Sequence, residues 1–337
     1  MANRADRDLN VVRPDTASPA PVLARRTNAL PRLLKFPLLC ILSLTLSAGL
    51  YTLAEEWTGG ELAAVSKKMT EPWQVGVVFG WRLLEIGVSW WGGLDYLDLI
   101  SLTLLSHFPY LHLLNTFFLV SPTTVLITLA IDVVSLAVPL RLLRATLPAH
   151  NPRASKRIVP DRDIIHDSSI GFLTTLFPTA IISLLLYVAE RTFLPTFAVQ
   201  NFADIPSVAA AHGATLPSLL TSLIPAGWAA REFLFMPSSG ATPSPVRNLP
   251  TEPQPFNPAM ATLSDTIWYN LGLANPSPRV RILAKRTGLL SAVVFANTAI
   301  KVWTVEGAET VGVLGWAGLW TVVQLVLGSA FAWLGAV

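Results

Sequence analysis

Three side chains in this sequence stand where charge is expensive and a proton could be moved. Glu85, His107 and Asp132 each lie near the middle of a run of apolar residues. A charge at the centre of a bilayer costs roughly 2.5 to 3.5 kcal/mol even on lenient insertion scales, so such groups must turn inward and find partners or water. Arg82 precedes Glu85 by three residues, a helical spacing that puts both on one face and lets them pair. No basic residue neighbours Asp132 in its own run. A carboxyl buried without a cationic partner stays protonated and can serve as a general acid. In that chemistry Asp132 is the acid, Glu85 fits less well because Arg82 claims it, and His107 supports the acid or takes the final proton. Trp81, Tyr110 and Phe117 offer ring faces that could stabilise a carbocation. Arg82, His112 and Asn115 complete a polar lining for a bound substrate. Each of these residues also has a structural reading: Arg82–Glu85 as an internal ion pair, each histidine as a bridge between helices, each ring as core packing.

Other chemistries leave no trace. There is no HExxH, no P-loop, no GxSxG and no histidine spacing suited to zinc, so neither metal nor cofactor is expected. Asp95 and Asp98 form a bare D-x-x-D, too little to hold a magnesium-diphosphate. Cys40 is the single cysteine, so no disulfide framework is possible. The 141–167 segment is basic but lacks interleaved aromatic residues and adjoins an apolar run. Its expected counter-charge is anionic lipid headgroups, not nucleic acid.

The chain that must position these groups is 52% hydrophobic and only 13% charged over 337 residues, with a mean hydropathy of +0.52. Ordinary soluble proteins are about a quarter charged. Runs long enough to cross a bilayer fall at 36–54, 75–92, 97–119, 121–142, 168–189, 215–235, 287–304 and 311–335. They predict an all-α polytopic bundle of about eight transmembrane helices. Lysine and arginine number seven up to Lys35, six in 141–167 and five in 236–286, against only Lys67, Lys68 and Arg191 in the opposite loops. That bias predicts both termini in the cytosol. Residues 1–33 form a disordered cytosolic tail and 34–337 the membrane domain, with cytosolic loops 143–167 and 236–286. The proline-rich 237–258 reads as a loose linker, and 61–69 and 264–273 as short interfacial helices. Gly76 with Gly80, and Gly328 with Ala332 and Ala336, have the spacing of close helix contacts. The first span starts too late and runs too long for a cleavable signal, which makes it an anchor and the endoplasmic reticulum the default membrane.

The stretches WWGGLDYLDLISLTLLSHFPYLHLL (90–114), SPTTVLITLAIDVVSLAVPLRLLR (121–144) and WTVEGAETVGVLGWAGLW (303–320) resemble a family of multi-pass membrane proteins of filamentous fungi, most without an assigned activity. In size, span count and mid-membrane carboxyls the chain is also similar to the eight-span membrane-bound terpene cyclases of fungal meroterpenoid pathways. That resemblance implies metal-independent cyclisation of a prenyl chain, started by protonation from Asp132. A hydrophobic prenylated substrate would reach such a site through the bilayer. Two other classes stay open: a proton-coupled carrier using the same Asp, His and Arg as a relay, and a non-enzymatic scaffold or subunit with the polar layer as glue. The sequence names no protein partner; membrane lipids are the one partner it specifies.

Overall fold

The computed structural model describes residues 31–241 and 277–334, with positions 262, 263 and 266. Most of the expected tail, the linker 237–258 and the interfacial helix 264–273 lie outside the described residues.

The described residues form helices and no strand. The long ones are α1 (Arg32–Val65), α2 (Pro72–Trp91), α3 (Tyr96–Phe117), α4 (Pro122–Leu143) and α6 (Ser168–Arg191), then α12 (Pro278–Trp303) and α13 (Thr310–Leu334). Between them come the short α5 (Arg162–Ile165), α7 (Leu194–Asn201) and α8 (Ala209–Gly213). A broken helical segment follows: α9 (Leu216–Ser222), α10 (Ile224–Ala230), a π turn (Arg231–Phe235) and α11 (Met236–Ser239).

Local chemistry sets the starts. Asp95 caps α3 by accepting from Asp98 N, and the Asp98 side chain returns the bond, a capping box. Ser121, Asp167 and Ser277 cap α4, α6 and α12, and Pro122 and Pro278 supply fixed φ in the first turns of α4 and α12. Helix α1 continues well past its apolar run, so the expected short helix at 61–69 is not separate. Glu61–Val65 form the last turns of α1, and Ser66 then pairs in an isolated bridge with Val305.

Helix α3 is the axis of the bundle, packed against α4, α10 and α12, while α12 pairs with α13 and α1 with α4. The apolar window of α3 is 72% buried and that of α1 only 11%, so α1 is peripheral. Close approach explains two glycines. A Cβ at Gly227 would stand 2.7 Å from the Thr175 carbonyl oxygen, where α10 crosses α6, and one at Gly328 would strike Thr287 across α12–α13. Gly76 and Gly80 do not share this role: both are exposed and open space surrounds their Cβ positions.

Among the described residues five helices are long and apolar enough to cross a membrane: α1, α3, α4, α6 and α13. Their outward faces are apolar, with Leu126, Leu142, Phe172, Leu173, Leu184 and Val188 exposed. The interior holds Glu85, Asp95, Asp98, His107, Asp132 and Glu232. Ionisable groups held within the core beneath an apolar exterior suit a lipid solvent. Main-chain bonds tie the ends of the elements together. At one end Lys67 N donates to Thr304 O, Glu306 N to Val65 O and Glu309 N to Asn201 O. At the other, Arg144 bonds the carbonyls that end α2, and Arg231 bonds Ile165 O.

Candidate functional site

Five helices meet at one ionic cluster inside the bundle. His107 on α3 stands between two carboxyls: Nδ1 lies 2.7 Å from Asp132 Oδ2 on α4, and Nε2 lies 3.2 Å from Glu85 Oε1 on α2. A neutral imidazole has one N–H to give, so both contacts are hydrogen bonds only if the ring carries two protons or one carboxyl carries one. Arg82 donates to Glu85 Oε2 at 3.2 Å and to Ser135 Oγ at 2.7 Å, and approaches Asp132 Oδ1 at 3.9 Å. Lys301 on α12 donates to Asp132 Oδ2 at 3.4 Å, and the Tyr51 hydroxyl on α1 donates to Asp132 Oδ1 at 3.2 Å. Beside them Trp81 Nε1 donates to Asn297 Oδ1, and Asn297 Nδ2 donates to Ser106 O, each at 2.8 Å.

Arg82 and Lys301 set two positive charges against the carboxyls of Glu85 and Asp132, with His107 bridging the two carboxyls. This corrects the premise that Asp132 lacks a cationic neighbour: Lys301, His107 and Arg82 all reach it from other helices. Lys301 belongs to the cluster although it lies near the end of its apolar run. Lys301 follows Asn297 by four residues on one face of α12, a spacing that could have flagged it. Tyr51 left no such signal. Of the other expected lining residues, Trp81 and Arg82 join the cluster, and the Tyr110 ring lies 5.8 Å below Lys301 Nζ. His112, Asn115 and Phe117 point elsewhere. His112 Nε2 lies 3.1 Å from Glu190, among the rings of Phe108, Trp316 and Trp320. Asn115 donates to Val120 O in the turn after α3, and Phe117 is buried with its edge on Trp316.

Space at the cluster is small. The cleft that reaches Glu85, Trp81 and Ser106 has about 10 Å³, close to the minimum for one water. A larger apolar groove of about 300 Å³ between Trp73, Val77, Trp303 and Leu314 includes none of the ionisable residues.

A second buried cluster closes the end of the bundle where α3 begins. His150 Nδ1 lies 2.8 Å from Asp95 Oδ2, and His150 Nε2 lies 3.2 Å from Glu232 O. Arg286 holds both Asp98 oxygens, at 2.5 and 3.0 Å, and donates to Phe233 O. Glu232 and Phe233 belong to the π turn, whose wider ladder leaves carbonyls available to outside donors. Burial pushes the Asp95 carboxyl up, but its bond to His150 and the amides of Asp98 and Leu147 outweigh that and hold it below the usual range. Burial pushes His150 down, and the Asp95 bond with the nearby Asp98 charge outweighs it, leaving His150 above its ordinary value. Donor atoms of Asp95, Asp98 and His150 lie within 4.8 Å of one another, a metal-like spacing. Arg286 and His150 already occupy those atoms, so a cation would have to displace them.

Residues 167–300, less than half of the chain, match the family described as the Bouquet formation protein 3 C-terminal domain. The match runs from the cap of α6 to α12. It contains Glu232, Arg286 and Asn297, but not Arg82, Glu85, His107, Asp132 or Lys301. No curated protein and no solved structure matches the chain.

Proposed function

We propose that this chain is a non-enzymatic polytopic scaffold or subunit that crosses a membrane eight times with both termini cytosolic, and that its internal ions hold the helices in register. The observation that carries this reading is the closure of the cluster. Every charged side chain in it is engaged by another protein group, and the adjoining cleft has room for about one water. Small-molecule sites usually offer about 300 Å³ or more. The eight crossings are supported by the apolar runs of the sequence and by the lysine and arginine bias of the loops, which favours a cytosolic 143–167. The family similar to 167–300 is named for a process, bouquet formation, and not for a reaction. The endoplasmic reticulum remains the default membrane.

A second reading, a terpene cyclase protonating a prenyl chain from Asp132, rests on the short His107–Asp132 contact. It needs a space beside Asp132 that opens only on binding. One substitution separates the two. In the scaffold reading Asp132→Asn leaves Lys301 without its counter-charge, and breaking such a buried pair costs about 3 to 5 kcal/mol. Protein abundance and thermal stability therefore fall, and co-expression with a prenylated aromatic precursor gives no cyclised product from the wild type. A cyclised product from wild type, lost in Asp132→Asn at normal abundance, would reject the scaffold reading.

A further inference from the structure

Where α1 begins and α2 and α4 finish, Lys35, Trp90, Leu143, Arg144 and Ala145 line an open cleft of about 460 Å³, the size of a small-ligand site. Arg144 is anchored there by three N–H bonds, from Nη1 to Ser89 O and Leu94 O and from Nη2 to Trp90 O. A guanidinium has five such donors, so two remain. Its charge also lies 4.5 Å from the centre of the Trp90 ring. Arg141, one turn earlier on α4, is exposed over the Tyr96 ring. Lys35, Arg141 and Arg144 form no ion pair among the described residues, while Arg162, Arg231 and Arg286 at the same end each hold a carboxylate. The flanks are apolar: Trp91 is 76% exposed with its ring against Phe36, and Leu34 and Leu142 are exposed on α1 and α4.

Fixed positive charge beside a tryptophan, above an apolar exterior, is the chemistry of the headgroup layer. We propose that this cleft binds the phosphate headgroup of an anionic phospholipid, with Lys35 and the free donors of Arg144 as its ligands and Arg141 adding to the field. Leu34, Trp91 and Leu142 lie against the acyl chains. The site needs α1 and α4 to cross the bilayer, but it does not depend on whether the ion cluster is glue or catalyst.

Native mass spectrometry of the full-length protein in detergent tests this, with phosphatidylserine, phosphatidylcholine and inorganic phosphate as separate probes. Wild type should retain phosphatidylserine preferentially, and inorganic phosphate should not displace it. Lys35 makes no hydrogen bond or ion pair among the described residues, so Lys35→Ala should fold normally and weaken phosphatidylserine binding about fivefold, with Lys35→Glu weaker still. Arg153→Gln/Lys156→Gln/Arg157→Gln in the neighbouring basic loop should leave the preference intact. Equal retention of both lipids, displacement by free phosphate, or a preference that survives Lys35→Glu and is lost in the loop variant would each overturn the proposal.

Discussion

His150 is held by both ring nitrogens, one on Asp95 at the cap of α3 and one on the carbonyl of Glu232 in the π turn, with Asp98 and the Glu232 carboxyl also close. The pair makes stability depend on pH in a defined direction. His150 is raised, so its contribution is present below about pH 6.5 and is lost as pH climbs through its higher folded value. Asp95 is lowered, so its contribution is present above about pH 3.8 and is lost only in stronger acid. The clamp is therefore complete between about pH 4 and pH 6.5. Thermal unfolding in detergent should show a gap between wild type and His150→Gln that is widest near about pH 6 and narrows as alkali is added. A gap that widened above neutrality would reject this account of the clamp. In the sequence the ionisable types at 85, 107 and 132 stood out because their surroundings are apolar. Arg82 was legible as the partner of Glu85 on its own helix, but Lys301 and Tyr51 were not, because pairing between helices is fixed by packing and not by spacing along one run. His150, the partner of Asp95, is in the same class.

At the scale of elements, caps are local chemistry: Asp95, Ser121, Asp167 and Ser277 sit where a side chain can accept the first free N–H groups. Apolar runs alone miss such starts, and α12 begins at Pro278, nine residues before the run expected at 287. Ends were no easier to read. Helix α1 runs on through Glu55 and Glu56, since charge does not break a helix once it has left the apolar layer. Small residues were ambiguous for another reason: a repeat of glycines specifies that a neighbour could come close, not that one does. Gly227→Ala should cost about 1 to 3 kcal/mol, because the Thr175 backbone and Thr179 cannot both yield. Gly76→Ala and Gly80→Ala should stay within about 0.5 kcal/mol of wild type. Unfolding of the purified variants checks both, and a loss at Gly80 equal to that at Gly227 would show that α2 packs against something more than lipid.

For the whole molecule, the proposed eight crossings with cytosolic termini require Lys67 and Lys156 to lie on opposite sides of a membrane. In a Cys40→Ala background, Lys156→Cys should react with an impermeant maleimide on intact microsomes, and Lys67→Cys only after permeabilisation. Labelling of both on intact vesicles would contradict eight crossings. The central claim, that the buried ions act as glue between α4 and α12, is tested most directly by a double-mutant cycle on Asp132 and Lys301, read as thermal stability in detergent. Asp132→Asn and Lys301→Met should each destabilise, and the double variant should recover part of the loss, with a coupling of about 1 to 3 kcal/mol. Single variants as stable as wild type, with effects that simply add, would contradict it.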